Sequence, residues 1–298
     1  MRLLVTGAWN AAEEQLNILR QRHEVRIQQQ ESAPLVCEPD WVEGVICNGL
    51  FQHHPIEQFV NLRHIQLTSA GFDRVPMAYV REKGIEIHNA RGVYSAPMAE
   101  FAVCGVLQLY KQAAYFRDNQ RQHSWQKHRG LRELSGKTVC IVGCGSVGMA
   151  CAKRFGAFDT RVIGVDLLPD PKPHIEQLYP LDQLEAALRQ SDVVILTTPL
   201  TCETVHLMNE IRLGQMKPGA VLVNLSRGAL VKTAALVEAL QTEALSGAVL
   251  DVFETEPLPS DSPLWDMENV LITPHNSFVG EGNGERLFFV IEKNMGNY

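Results

Sequence analysis

Along residues 1 to 90 the chain switches repeatedly between short apolar runs and longer polar stretches of helical spacing. Short continuous apolar runs suit strands buried on both faces, and amphipathic stretches between them suit crossover helices, so the pattern predicts a parallel sheet. Strands are expected near Leu3–Thr6, Val25–Gln28, Gly44–Cys47, His64–Leu67 and Ile85–His88, and helices near Ala11–Gln21, Pro55–Val60 and Pro76–Lys83. Pro76 is tolerated there because the first helical turn has no partner for its amide.

The rhythm changes at Ser95. The stretch Ser95–Phe116 is apolar over much of its length, with Pro97 and Glu100 near its start, and predicts one long helix carrying the chain from a first domain to a second. It exceeds what one sheet face needs to cover, which predicts a dimer contact. A polar run, Arg117–Gly130 with His123, Trp125 and His128, precedes a second series of alternations. Strands are expected at Gly136–Ile141, Thr160–Asp166, Val193–Thr197, Ala220–Asn224, Ala248–Leu250 and Val270–Ile272. Helices are expected at Met149–Phe158, Leu181–Arg189, Asn209–Gln215, Thr233–Leu240 and Glu285–Lys293. The fold class expected is α/β, with residues 1–91 plus 276–298 forming one doubly wound domain and 92–275 the other.

Only the second series carries a glycine motif. Val142-Gly143-Cys144-Gly145-Ser146-Val147-Gly148 sits between a predicted strand and a predicted helix. In that place Gly143 permits a tight turn, Gly145 lets a pyrophosphate approach bare backbone, and Gly148 lets the helix lie close to the strand. A second strand ends in Asp166 about twenty residues on, where a carboxylate can accept hydrogen bonds from an adenosine ribose. The pair of features predicts a dinucleotide site.

Composition narrows the partners. A 298-residue chain has room for two domains, and 45% hydrophobic with 20% charged residues is the composition of a folded globular protein. The formal charge of −7 and the absence of a Lys/Arg cluster argue against nucleic acid and favour a small-molecule partner. The seven cysteines are odd in number and lack zinc-like spacing, so they predict reduced thiols in a cytoplasmic protein with no metal site. The apolar run in Met1–Gly7 is too short for a secretory signal or a membrane span.

Three predicted strands in the second half are followed by an ionisable group, at Arg227, Glu256 and His275. Strand ends of a doubly wound sheet open on one crevice, so the three can converge there. Arg227 offers a planar fork for a carboxylate or carbonyl oxygen, and His275 is the side-chain type that exchanges a proton near neutral pH. Glu256 would orient the imidazole and favour its charged form. Taken singly, each is more often a surface group or a cap.

With these motifs stand Leu134-Ser135-Gly136-Lys137-Thr138, Thr198-Pro199-Leu200-Thr201, Met216-Lys217-Pro218-Gly219-Ala220, Asn224-Leu225-Ser226-Arg227-Gly228, Leu250-Asp251-Val252-Phe253 and Thr273-Pro274-His275. Together they resemble the D-isomer-specific 2-hydroxyacid dehydrogenase family over nearly the whole chain. The resemblance implies a Rossmann NAD-binding domain, a flavodoxin-like substrate domain, a homodimer, and hydride transfer between NAD and C2 of a small D-2-hydroxy or 2-oxo acid. It implies Arg227, Glu256 and His275 as catalytic residues. It implies Gly143, Gly145, Ser146, Val147, Gly148, Asp166, Thr198, Pro199 and Asp251 at the cofactor, and Ser69, Ala70, Gly71 and Arg227 at the substrate. Asp166 without a following Arg favours NAD over NADP, Lys172 being the nearby cation. Formate dehydrogenases of the family carry Gln in place of Glu256. A second class of function, an NADH-sensing corepressor-like module, differs in binding NADH without turning over any 2-oxo acid. Departing from the family's usual small residues, Asn276-Ser277-Phe278 follow the histidine.

Overall fold

The computed structural model describes residues 1–168 and 170–295. They fall into two compact units, Met1–Tyr94 with the chain from Gly280 on, and Ser95–Val279.

In the first unit the strands β1 (Arg2–Thr6), β2 (Glu24–Gln28), β3 (Gly44–Cys47), β4 (His64–Leu67) and β5 (Glu86–His88) form a parallel sheet in the order β2-β1-β3-β4-β5. This is the flavodoxin-like order. Alternation along β1 divides the core: Leu3 and Val5 face Trp9, Leu16 and Leu19, whereas Leu4 faces Val42, Val45 and Ile65. Helices α1 (Glu13–Arg20) and α2 (Met77–Lys83) lie near their predicted places. The helix predicted at Pro55–Val60 is instead a single 3₁₀ turn, Ile56–Gln58. Its two buried anchors, Ile56 and Phe59, are three residues apart, the spacing that a 3₁₀ turn places on one side.

In the second unit the strands β6 (Thr138–Val142), β7 (Arg161–Asp166), β8 (Gln177–Pro180), β9 (Val193–Leu196), β10 (Ala220–Asn224), β11 (Leu245–Leu250) and β12 (Val270–Ile272) are all parallel, in the order β12-β11-β10-β9-β6-β7-β8. Strand order reverses at β6, which puts the switch point at the end of the strand that carries the glycine motif. Val139 and Ile141 face one core and Cys140 and Val142 the other.

The long helix predicted at Ser95–Phe116 is two helices, α3 (Ser95–Tyr110) and α4 (Ala113–Arg121), the second running into the stretch read as a polar connection. Between them Gln112 takes a left-handed backbone, φ 52°. The Arg132 amide donates to the Tyr110 carbonyl at 3.0 Å, and Lys111 Nζ to the Arg132 carbonyl at 2.7 Å, so a later segment satisfies the end of α3 and turns the chain. Further helices are α5 (Ser146–Gly156), α6 (Leu184–Leu188), α7 (Glu210–Gly214) and α8 (Thr233–Gln241), α6 preceded by a 3₁₀ turn at Leu181–Gln183. Gly105 in α3 is a contact requirement, because a Cβ there would lie 2.6 Å from Val249 of β11.

The last helix, α9 (Asn283–Met295), belongs to the first unit. Its Leu287, Ile291 and Met295 are buried among Leu3, Val5 and Ile46, at roughly 1.5–3 kcal/mol for each such side chain. Arg286 Nε fixes its start by donating to the Val93 carbonyl at 2.7 Å.

Candidate active site

The glycine turn follows β6 directly. Gly143 has φ 93°, and a Cβ on it would lie 2.5 Å from the Thr198 amide nitrogen, so both its conformation and its space admit only glycine. A Cβ on Gly148 would lie 2.3 Å from the Gly143 carbonyl oxygen. Gly145 differs, because nothing stands within 4 Å of the place its Cβ would take. It is the N-cap of α5 with no side-chain cap, and Ser146 and Val147 open the helix behind it. Open space in front of bare helix-start amides fits a pyrophosphate.

Asp166 ends β7. Its Oδ2 accepts from the Cys144 amide at 2.9 Å and from Lys172 Nζ at 2.8 Å. Burial pushes its carboxyl pKa up, but the Lys172 hydrogen bond, the Cys144 amide and the Lys172 charge outweigh that and hold it below the usual range.

The neighbouring strand ends are tied to this turn and to each other. Thr197 Oγ1 donates to the Gly143 carbonyl at 2.6 Å, and Ser226 Oγ to the Thr198 carbonyl at 2.6 Å, which fixes Thr198 and Pro199 between the glycine and arginine turns. Asn224, almost wholly buried, shapes the Arg227 turn from inside: its Nδ2 donates to the Arg227 carbonyl at 2.9 Å and its Oδ1 accepts from the Ser226 amide. Gly228 then abuts the next loop, for a Cβ there would lie 1.9 Å from the Phe253 carbonyl carbon.

That loop carries Glu256. Its Oε1 accepts from the Phe253 amide at 3.0 Å, and its Oε2 meets His275 Nδ1 at 2.8 Å. A carboxylate only accepts, so Nδ1 carries the hydrogen and Nε2 is left as the exchanging nitrogen. Both side chains are a little over one-third exposed, which keeps them open to a ligand. His275 has φ 50°, a left-handed backbone held by its amide donating to the Asp251 carbonyl at 2.8 Å. The Asp251 carboxylate, with no exposed surface, accepts from Thr273 Oγ1 at 2.6 Å, the Asn276 amide at 2.7 Å and the Ser277 amide at 2.9 Å. Asp251 thus brackets the histidine from both sides. Phe278 sets its ring edge-on to the imidazole, centroids 6.1 Å apart.

In the first unit, the loop after β4 is pinned through its carbonyls. Tyr94 Oη donates to Thr68, the Ala90 amide to Ser69, Asn89 Nδ2 to Ala70 and Ser69 Oγ to Gly71. The amides of Ala70 and Gly71 make no hydrogen bond among the described residues.

The structure therefore brings together Arg227, Glu256, His275, Asp251 and the Thr198 turn on one sheet edge beside the glycine turn, while Ser69, Ala70 and Gly71 lie in the other unit. The clamping roles of Thr197, Asn224 and Ser226 have no sequence signal of their own, since hydroxyl and amide side chains after strands are common.

Comparison with known proteins bears on the same elements. A family model described as D-isomer specific 2-hydroxyacid dehydrogenase, NAD binding domain, matches residues 103–277. This chain belongs to that family. A glyoxylate reductase of Thermofilum pendens is 38% identical over 223 residues, an alignment covering 72% of this chain and 65% of the length of that relative. Among solved structures, a Thermus thermophilus protein superposes with a TM-score of 0.79 at 35% identity, covering 98% of this chain and 95% of the other. A D-isomer specific 2-hydroxyacid dehydrogenase from Xanthobacter autotrophicus, solved with NADPH and MES, has a TM-score of 0.79 at 28% identity, covering 99% and 95%. The second unit is thus the family's dinucleotide-binding Rossmann domain, and among the described residues no helix is long and apolar enough to cross a membrane.

Proposed function

We propose that this dehydrogenase interconverts a small 2-oxo acid and the D-2-hydroxy acid, with NAD(H) as the redox partner and glyoxylate as the first substrate to test. The observation that carries the reading is the His275–Glu256 pair, 2.8 Å apart at the carboxyl edge of the Rossmann sheet, with Nε2 left to exchange a proton.

The residues present fit a dinucleotide. Gly143, Gly145, Ser146, Val147 and Gly148 would hold its pyrophosphate, Asp166 its adenosine ribose, and Thr198 and Pro199 the nicotinamide end, whereas Asp251, fully buried and bonded to Thr273, Asn276 and Ser277, backs the histidine loop from behind instead of reaching the cofactor. When bound, the cofactor supplies or accepts the hydride at C2. In the reducing direction His275, protonated on both nitrogens, gives the Nε2 proton to the substrate oxygen as negative charge develops there, and Glu256 stabilises the cation before transfer. Arg227 holds and polarises the carboxylate and carbonyl oxygens; in the first unit, the amides of Ala70 and Gly71, beside Ser69, are donors of the kind that receive a carboxylate. Reversal returns the proton to His275.

NADH oxidation with glyoxylate, hydroxypyruvate and pyruvate, run beside His275→Ala, tests the reading. Turnover of one acid that drops about 10²–10⁴-fold in the variant supports it, that being the usual contribution of a general acid. Tight NADH binding with no turnover of any acid would sink it.

We also propose a homodimer of cytoplasmic location. Support for the dimer comes from the apolar face that Val103, Leu107 and Phe158 present between α3 and α5, and from Trp125, which is 98% exposed. Support for the compartment comes from cysteines that are all unpaired, Cys47, Cys140, Cys144 and Cys151 being buried. A monomeric mass by light scattering would overturn the dimer.

A further inference from the structure

We infer that Lys172 opens the adenosine end of the site to a 2′-phosphorylated dinucleotide, so that NADP(H) binds beside NAD(H) and Lys172 sets the ratio between them. The inference rests on the dinucleotide reading above and extends it to this chain's own discrimination.

A bare carboxylate at the end of the second Rossmann strand takes ribose hydroxyls and repels a ribose phosphate. Asp166 is not bare. Its Oδ2 is filled by the Cys144 amide at 2.9 Å and Lys172 Nζ at 2.8 Å. Its Oδ1 has only a long contact, 3.5 Å, from the Leu168 amide, and so is the oxygen left for a ribose hydroxyl. The two charges in contact largely cancel for a third charge approaching from outside, which removes the repulsion that usually excludes the phosphate.

Lys172 also adds an attraction. An ammonium has three donors, and Asp166 takes one of them. The side chains of Lys172 and Asp166 are 24% and 22% exposed, so both are reachable while partly shielded from solvent screening. A 2′-phosphate beside them would draw a charge-assisted hydrogen bond from the remaining donors, whereas a plain 2′-hydroxyl would use Asp166 Oδ1 instead. The pair therefore has a partner for either form. Lys172 follows Asp166 by six positions, outside the adjacent place where an arginine signals phosphate recognition, so only the folded loop reveals the pairing.

Binding of NADH and NADPH to the full chain, followed by nicotinamide fluorescence without any substrate, tests this apart from turnover. The wild-type protein should bind the two within about tenfold of each other, a difference of roughly 1.4 kcal/mol or less. Lys172→Ala should weaken NADPH by about thirtyfold or more while moving NADH by less than about threefold, and Lys172→Arg should retain NADPH, since it keeps the charge. Added salt should weaken NADPH more than NADH. Should the alanine variant fail to fold, as judged by circular dichroism, Lys172→Gln takes its place. Wild-type exclusion of NADPH with normal NADH binding overturns the inference alone, as does a Lys172→Ala protein that weakens both dinucleotides equally. Failure to bind either dinucleotide overturns the cofactor reading and the inference with it.

Discussion

Replacing Gly145 with alanine separates a ligand site from a merely tight turn. The added methyl has no neighbour within 4 Å, and the backbone at φ −77° and ψ −159° is open to any residue. Two small folding effects oppose each other there. A stiffer unfolded chain stabilises by about 0.4–1 kcal/mol, while alanine caps a helix less well than glycine by about 0.5–1 kcal/mol. The folded state should therefore change by less than about 1 kcal/mol, a melting shift within roughly 4 °C for a unit of this size. Dinucleotide affinity should respond differently. The methyl fills the space through which a pyrophosphate reaches the Ser146 and Val147 amides, and losing one hydrogen bond to a charged group costs about 1.5–3 kcal/mol. That is roughly a ten- to hundredfold rise in the NADH dissociation constant. Fluorescence titration and thermal melting of the same preparation read both quantities. Gly143→Ala serves as the contrast, since its methyl would stand 2.5 Å from the Thr198 nitrogen at φ 93°, and it should lose stability and binding together. Unchanged NADH affinity in Gly145→Ala, or unfolding as severe as in Gly143→Ala, would refute the reasoning.

Asp251→Asn turns one acceptor into a donor facing a buried amide, so it should destabilise by about 2–4 kcal/mol in urea denaturation and, by letting His275 drift, lower kcat about a hundredfold; a stability change under about 1 kcal/mol would contradict the bonding described. Gly228→Ala drives a methyl to within 1.9 Å of the Phe253 carbonyl carbon, so the Glu256 loop must shift and turnover should fall about tenfold or more; full activity would exclude the close approach. His23 has its pKa lowered by burial first, then by the N-terminal ammonium and Arg22, against a hydrogen bond to the Met295 backbone carbonyl, which raises it. Its neutral form contributes full stability above the unfolded value of about 6.5, lost as pH falls through the lower folded value. Urea midpoints should accordingly decline with acidification below about pH 6.5, and His23→Gln should flatten that decline; an identical slope in the variant assigns the effect elsewhere.

The parts of the fold legible in the sequence are those where one local requirement dominates. Gly44–Cys47, His64–Leu67 and Ala220–Asn224 occupy the predicted places because strands covered on both faces need uninterrupted apolar runs. Gln177–Pro180, an edge strand with polar positions, has no such requirement and carries no apolar run to mark it. The break at Gln112 carries neither Gly nor Pro, and what ends α3 is a backbone bond from Arg132, a tertiary event invisible to spacing. The same division runs through the site. Gly143 and Gly148 are legible because sterics demand glycine, but the uses of Thr197, Asn224, Ser226 and Lys172 arise when separate strand ends meet.

The docking of α9 has a consequence for how the protein emerges from the ribosome. The first unit begins ahead of the second but completes its core with Leu287, Ile291 and Met295, after the whole second unit has been made. At about 5–20 residues per second, the gap of roughly 190 residues amounts to about 10–40 s of synthesis during which Leu3, Val5 and Ile46 lack their cover. The unit begun ahead of the other is finished after it, and a nascent chain stalled before Gly280 would present an apolar face suited to a holding chaperone.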